Sequence, residues 1–193
     1  MNKKVRGMIL DLDGTVYRGD KLLPGARQSI HWLQEHSFPL VYISNKPLES
    51  RADYAAKLTR LGIPTQPDEV IHSSLALVNY LKDKFPDSVI YAIGEDPLLD
   101  ELQTNFQLSE DINEIDIVVA SFDRSFNYHK LNTGFQAIKK GARFFATNAD
   151  VTCPVANGEI PDAGAVIAAL EACCGKGVEL VAVSYTHLTL PTN

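Results

Sequence analysis

Short apolar runs alternate with longer segments of helical periodicity along most of this 193-residue chain. The first predicted strand, residues 6–12, is apolar and expected to be buried; a predicted helix at 25–36 and a second strand at 38–44 follow it. Strands that alternate with helices of this length form βαβ units with right-handed crossovers, so the strands are parallel. The sequence therefore predicts an α/β fold in which both strands end at one edge of a parallel sheet, where such folds bind ligands.

The same alternation continues through the rest of the chain. Further helices are predicted at 49–61, 73–85, 97–106, 129–140 and 163–174. Further strands are predicted at 88–94, 116–122, 142–147 and 177–183. Because the pattern restarts after the third helix, we expect a second α/β module at 84–174, inserted into a core formed by 1–83 and by a returning strand that starts within 175–182.

Composition restricts the partners that we expect. The chain is 45% hydrophobic and 22% charged with a net charge of −6, and its basic residues form no cluster, which disfavours nucleic acid as a partner. Its apolar runs are too short to cross a membrane, and Asp11 and Asp13 interrupt the stretch that an export signal would need. An odd cysteine count, with Cys173 and Cys174 adjacent, suggests neither a disulfide framework nor a zinc site. We therefore expect a cytoplasmic protein with reduced thiols.

Two aspartates, Asp11 and Asp13, follow the apolar residues 8–10. Close carboxylates repel each other, so a pair at a strand end usually binds a metal ion or combines a nucleophile with an acid or base. In phosphoryl transfer, bound Mg²⁺ offsets the repulsion between a carboxylate nucleophile and the phosphate ester. Asp11, at the rigid strand end, suits the nucleophile, and Asp13 suits the group that protonates the leaving oxygen and then deprotonates water.

Neighbouring residues suit the binding of a phosphoryl group. Gly14 allows backbone N–H groups to approach the phosphate, and Ser44 and Asn45 can donate hydrogen bonds to its oxygens. Lys46 is either a solvated charge or a neighbour of the phosphate. The alternative for the aspartates is that they cap a helix or start a turn. The apolar strand before them, and the Ser-Asn pair one helix later, favour the functional interpretation.

Asp-x-Asp-Gly-Thr at 11–15, followed by Ser-Asn at 44–45, resembles the signature of the haloacid dehalogenase (HAD) superfamily. Five further phrases resemble the NagD-like sugar-phosphate and 4-nitrophenyl phosphatases of HAD subclass IIA: VIHSS at 70–74, YAIGE at 91–95, SFDR at 121–124, YHKLN at 128–132 and ATNAD at 146–150. This resemblance covers residues 5–182. It implies a Rossmann-like HAD core with an inserted α/β cap domain. It also implies Mg²⁺-dependent hydrolysis of small phosphate monoesters through an aspartyl-phosphate, and a homodimer through the cap.

By this resemblance, the matching positions have defined roles. Asp11 is implied to be the nucleophile and a metal ligand. Asp13 is implied to be the acid and base, and to bind the metal through its backbone carbonyl. Ser44 is implied to hold the phosphoryl group, with Asn45 and Lys46 beside it.

Residues 147–164 resemble the substrate-specificity region of such a cap. Many relatives have Pro-Gly-x-Gly where this chain has Pro-Asp-Ala-Gly at 161–164. The difference indicates either an altered cap loop or a helix that starts at Asp162, a good N-cap residue.

The end of the chain departs from the family pattern. In relatives, a strand like 179–181 is followed by Gly-Lys-Pro and later by Gly-Asp with a second acidic residue, and neither follows residues 179–181 in this sequence. Residues 183–192 are instead encoded in order by GTC TCT TAT ACA CAT CTG ACG CTG CCG ACG, which resembles a transposon-end sequencing adapter. We expect a coding sequence truncated near Ala182, an incomplete core, and an artefactual tail at 183–193. A genomic continuation that encodes Val-Ser-Tyr-Thr-His would contradict this hypothesis.

Three functional hypotheses stay open at this level. The first is a phosphatase whose truncated chain, without the later motifs, is inactive. The second is a non-catalytic fragment with weak anion or metal binding, or with self-association through the cap. The third is a module that retains a phosphate on Asp11, although a signalling module does not need a cap that encloses a small substrate.

Overall fold

The computed structural model describes residues 5–46, 49–155 and 158–181. Contacts divide the chain into two compact units. The first unit contains residues 1–44 and 49–72, and the second contains residues 45–48 and 73–193. The predicted tail at 183–193 lies outside the described residues, and the predicted division into a core, an inserted cap and a returning strand stays a prediction.

In chain order, the described part of the first unit consists of β1 (Met8–Asp11), β2 (Tyr17–Arg18), β3 (Lys21–Leu22), α1 (Ala26–Glu35), β4 (Leu40–Ser44), α2 (Arg51–Arg60), a 3₁₀ helix (Pro67–Glu69) and β5 (Val70–His72). A parallel sheet has the order β1-β4-β5, and β2 and β3 form an antiparallel hairpin. The two strands and two helices predicted for this part are confirmed, with ends that agree to within two residues.

Helix α2 begins immediately after the segment that leaves β4. Ser50 Oγ accepts a hydrogen bond from the Asp53 N–H, and Asp53 Oδ2 accepts one from the Ser50 N–H, both at 3.2 Å. This reciprocal capping satisfies two N–H groups that the helix itself cannot bond. Tyr54 and Leu58, four residues apart on the helix, are then buried in the apolar core of the unit.

The position of β1 differs from the sequence-based expectation. β1 lies at the edge of its sheet, and within the described residues its only ladder partner is β4. Met8 and Ile9 are consequently 38% and 51% exposed, so the prediction of a buried first strand is wrong for these residues. An apolar edge strand presents unpaired backbone groups to other chains, which favours association.

In chain order, the described part of the second unit consists of α3 (Ser73–Lys84), β6 (Val89–Ile93), α4 (Asp96–Gln103), β7 (Gln107–Leu108), β8 (Ile117–Ala120), α5 (Tyr128–Lys140), β9 (Arg143–Ala146), β10 (Thr152–Val155), β11 (Gly158–Pro161), α6 (Ala163–Cys174) and β12 (Glu179–Leu180). A five-stranded parallel sheet has the order β12-β9-β8-β6-β7. β10 and β11 form an antiparallel hairpin.

Helices cover both faces of this second sheet. On its central strand β8, Val118 and Ala120 pack in the cluster that contains residues of α5 and α6. Ile117 and Val119 point the other way and pack with residues of α3 and α4. Burial on both faces is typical of parallel sheets, and it explains why β8 is apolar at every position.

The last predicted strand, 177–183, is present in the described residues as Glu179–Leu180. It pairs with Phe145 and Ala146 of β9, so its ladder belongs to the sheet of the second unit. Among the helices of the described chain, none combines the length and hydropathy that crossing a bilayer requires.

Candidate active site

Asp11 and Ser44 end two paired parallel strands of the first unit. Asp11 is in register with Ile43, the residue before Ser44, and the Leu12 N–H continues the ladder to the Ile43 carbonyl at 3.1 Å. The expectation that the first two strands end at one edge of the sheet is therefore confirmed. Their functional roles stay predictions at this point.

A tight turn follows Asp11 and determines where Asp13 lies. The N–H groups of Thr15, Val16 and Tyr17 all point to the Leu12 carbonyl, at 3.3, 3.0 and 3.1 Å. Asp13 forms an isolated bridge with Tyr17, which fixes it beside the β2–β3 hairpin. The Thr15 hydroxyl donates to Asp11 Oδ2 at 3.4 Å, so the same turn also orients the Asp11 carboxylate.

Gly14 supplies the left-handed backbone of this turn, with φ of +84°. Such a φ costs an L-residue with a side chain about 1–2 kcal/mol, which explains the glycine. Its N–H donates to the Tyr17 carbonyl at 2.8 Å, so this donor is used by the turn itself. The described role of Gly14 is conformational, and its contact with a phosphate stays a prediction.

Two buried tyrosines contact the candidate residues, Tyr17 through its bridge to Asp13 and Tyr54 through Ser44, and sequence reasoning did not assign them to a site. Ser44 is 2% exposed, and its Oγ forms a hydrogen bond with the hydroxyl of Tyr54 of α2 at 3.2 Å. Burial raises the pKa of Tyr17, and the charge of Asp13 and the presence of Tyr54, Glu49 and Asp11 add to this effect. The Tyr17 hydroxyl therefore keeps its proton at neutral pH.

His72 pairs with Ser44 across β5 and β4 and is 2% exposed. Burial, with a smaller effect of the Arg51 charge, lowers the pKa of His72 to about 4. The imidazole is therefore neutral at pH 7.

Asn45 and Lys46, which follow Ser44, belong to the second unit. The Asn45 carbonyl accepts a hydrogen bond from Ser73 Oγ at 2.9 Å and from Asn148 Nδ2 at 3.3 Å. These two donors fix the backbone of Asn45 from the start of α3 and from the segment after β9. Lys46 is half-buried, and its position beside the phosphate stays a prediction.

The structure distinguishes between the two explanations for Pro-Asp-Ala-Gly at 161–164. Asp162 is the N-cap of α6, and its Oδ1 accepts a hydrogen bond from the Ala163 N–H at 2.5 Å. Gly164 lies against the preceding loop, where a Cβ would come within 2.9 Å of the Asp150 carbonyl oxygen and of Val151 Cα. The sequence at this position is therefore a helix start, with Gly164 required by the close approach of the loop.

Mg²⁺ requires oxygen ligands from protein, water or substrate. Within the described ranges, no group of three or more His, Cys, Asp or Glu side chains is arranged to hold a metal ion. Asp11 nevertheless offers a carboxylate, and Asp13 its backbone carbonyl, at one strand end. Mg²⁺ sites commonly use one or two carboxylates, with waters and substrate phosphate as the other ligands. The pair therefore fits Mg²⁺, whereas a site closed by protein ligands alone does not fit.

Comparison with known sequences identifies the family. The family described as haloacid dehalogenase-like hydrolase matches residues 8–105. The chain is 32% identical over 179 residues to an acid sugar phosphatase from Staphylococcus haemolyticus. The alignment covers 93% of this chain and 68% of that protein. The chain is 36% identical over 176 residues to the sugar-phosphatase AraL from Bacillus subtilis, covering 91% and 65%. The chain thus spans about two thirds of the length of these relatives.

Solved structures agree with this assignment. A single mutant of the thermostable NPPase from Geobacillus stearothermophilus matches with a TM-score of 0.86 and 32% identity, over 92% of this chain and 70% of that one. A 4-nitrophenylphosphatase from Thermotoga maritima matches with a TM-score of 0.85 and 30% identity, over 92% and 67%. A putative nagD protein matches with a TM-score of 0.86 and 31% identity, over 93% and 71%. The predicted Rossmann-like HAD core with a cap is confirmed, and the chain belongs to the haloacid dehalogenase-like hydrolase family, among its NagD-like phosphatases.

Proposed function

We propose that this protein is a Mg²⁺-dependent phosphatase that hydrolyses small phosphate monoesters, such as sugar phosphates, through an aspartyl-phosphate on Asp11. The observation that carries the proposal is the position of Asp11 and Ser44 at the ends of paired strands, with Asp13 on the next turn. The names of the relatives, which are sugar phosphatases and nitrophenylphosphatases, support this substrate class. The proposal includes a cytoplasmic location and a homodimer formed through the cap.

The first step transfers the phosphoryl group to Asp11. A carboxylate oxygen of Asp11 attacks phosphorus, the bond between phosphorus and the ester oxygen breaks, and Asp13 in its acid form gives its proton to that oxygen. The Thr15 hydroxyl, 3.4 Å from Asp11 Oδ2, restricts the rotation of the nucleophile. The Ser44 hydroxyl donates a hydrogen bond to an oxygen of the transferring group.

The second step releases phosphate. Asp13, now a carboxylate, takes a proton from water while the water oxygen attacks phosphorus, and Asp11 leaves as a free carboxylate. The net products are the alcohol and inorganic phosphate, with both aspartates returned to their starting forms. Asp11 and Asp13 would hold a Mg²⁺ ion, which would offset the negative charges of the phosphate and the nucleophile.

An assay of the full-length protein with p-nitrophenyl phosphate and Mg²⁺ tests the proposal, because we expect the 193-residue chain alone to be inactive. We expect Asp11→Asn to abolish turnover because an amide is not a nucleophile here. Asp68→Asn, an equal change at an exposed position of the same unit, should leave turnover unchanged. Acid quenching and mass spectrometry should locate the phosphate on Asp11. Turnover that survives Asp11→Asn would remove Asp11 as the nucleophile.

A second candidate function is weak binding of Mg²⁺ or phosphate without turnover. It is favoured by the described part of the chain, where no group of three or more metal-ligating side chains is found. Clear Mg²⁺-dependent turnover by the 193-residue chain would contradict it. A stable acyl phosphate on Asp11, with no release of phosphate, would instead support the phospho-acceptor hypothesis.

A further inference from the structure

We propose that Tyr54 is a positioning residue that directs the hydroxyl of Ser44 toward the transferring phosphoryl group. The inference rests on the proposed function, because it assigns Tyr54 a role in the same site. The two hydroxyl groups are in direct contact: Ser44 Oγ lies 3.2 Å from Tyr54 Oη.

The location of Tyr54 makes its hydroxyl a fixed reference point. Tyr54 is 3% exposed and lies in the core cluster with Ala55 and Leu58 of the same helix. Ser50 and Asp53 cap this helix one turn earlier, so the backbone that carries the tyrosine is itself fixed. A tyrosine has only two side-chain torsions, and burial in a close-packed core restricts both.

The chemistry of two hydroxyl groups explains what the contact does. A serine hydroxyl has one proton, and at 3.2 Å either hydroxyl of the Ser44–Tyr54 pair can be the donor. Phosphoryl oxygens accept hydrogen bonds but donate none when ionised, so Ser44 binds one only after its proton turns toward the phosphate. The Tyr54 hydroxyl then donates a hydrogen bond to Ser44 Oγ, because each hydroxyl can both donate and accept. The Ser44–Tyr54 hydrogen bond is kept, with Tyr54 as the donor. The chain from Tyr54 through Ser44 to the phosphoryl oxygen then polarises the Ser44 hydroxyl.

Another buried tyrosine of the same core cluster, Tyr42, provides the comparison. Tyr42 is two residues before Ser44 on β4 and is fully buried. Burial raises the pKa of Tyr42 to about 12, and the nearby Thr65 side chain opposes this shift. Tyr42→Phe therefore removes a buried phenol hydroxyl from the same core without removing the contact to Ser44.

Binding of beryllium trifluoride with Mg²⁺, which mimics a phosphoryl group on an aspartate, tests the proposal without requiring turnover. We expect Tyr54→Phe to weaken this binding roughly 3- to 10-fold, the effect of one neutral hydrogen bond. Ser44→Ala should weaken it at least as much, and adding Tyr54→Phe to Ser44→Ala should change nothing further. In a Ser44→Thr background, which keeps the hydroxyl, Tyr54→Phe should weaken binding again. Tyr42→Phe should leave the affinity unchanged.

Two results would overturn the positioning role: unchanged affinity in Tyr54→Phe, or an equal loss from Tyr54→Phe in the wild-type and Ser44→Ala backgrounds. Free energies of unfolding of all variants separate loss of stability from loss of affinity. Failure of the proposed function gives a different result, in which Asp11→Asn binds beryllium trifluoride as well as the wild-type chain does. A wild-type chain that does not bind the probe would overturn both proposals.

Discussion

The buried ion pair between Asp123 and Lys130 in the second unit gives a quantitative prediction. The Asp123 side chain is 0% exposed, and its Oδ2 lies 2.6 Å from Lys130 Nζ. Its other oxygen accepts hydrogen bonds from the Ser125 N–H at 2.8 Å and from Ser125 Oγ at 2.7 Å. Lys130→Met keeps the length of the side chain but leaves the carboxylate without its cation.

The structure indicates the size of the effect. Removing one partner of a buried ion pair costs about 3–5 kcal/mol, because the remaining charge is buried without compensation. The Lys130 side chain is 26% exposed, so water can reach the place of the lost ammonium group. The Asp123 carboxylate also keeps its two hydrogen bonds from Ser125. We therefore expect the lower end of that range, a loss of about 3 kcal/mol in the free energy of unfolding.

Arg124→Met is the matched control at the neighbouring position. Arg124 Nε lies 2.6 Å from Glu95 Oε1, but its side chain is 71% exposed, so solvent screens this pair. Exposed ion pairs contribute at most about 1 kcal/mol. Glu95 nevertheless retains a hydrogen bond from the Arg124 backbone N–H at 3.2 Å, which further limits the loss.

Urea unfolding at pH 7 measures both variants. Lys130→Met should lower the unfolding midpoint much more than Arg124→Met. Adding Asp123→Asn to Lys130→Met should restore part of the loss, because the buried carboxylate is then neutral. If Lys130→Met and Arg124→Met lower the free energy of unfolding equally, burial does not determine the cost of losing the cation.

Two further predictions concern the first unit. The pKa of His72 is lowered to about 4 from its ordinary 6.5, so between these values the unfolded chain binds a proton that the folded protein excludes. The free energy of unfolding is therefore highest above pH 6.5 and falls by up to roughly 3 kcal/mol as the pH approaches 4. In urea unfolding experiments, His72→Gln should make the free energy of unfolding less dependent on pH between 4 and 6.5. Gly14→Ala should cost about 1–2 kcal/mol from its φ of +84°, whereas Gly177→Ala, with no positive φ and no atom closer than 3.9 Å, should cost much less in the same assay.

Much of the fold could be predicted because its longer elements are periodic. The strand before Ser44 and the helix that ends near Arg60 have apolar positions spaced for burial, and both were located to within two residues. The two-residue strands at 17–18 and 21–22 were missed, because a pair of residues carries no period. Their structure follows from the turn after Asp13, in which hydrogen bonds converge on one carbonyl.

The candidate site was predictable only where its chemistry is unusual. Asp11 and Asp13 stand out because carboxylates rarely follow an apolar strand so closely. Tyr54 was missed, since a tyrosine four residues before Leu58 on an amphipathic helix has the pattern of an ordinary core residue. Its relation to Ser44 depends on the packing of α2 against β4, which sequence spacing does not contain.

The strand that ends in Asp11 is hydrogen-bonded to a neighbour on one side only within the described residues. Met8 and Leu12 donate their N–H groups toward the β4 side, so the N–H group of Ile9 points to the opposite side of the strand. Local opening of an edge strand requires less free energy than opening of a central one. Apparent phosphate affinity is the intrinsic affinity multiplied by the fraction of molecules in which this strand is docked. Any segment that pairs with the open edge would therefore strengthen phosphate binding without touching the phosphate.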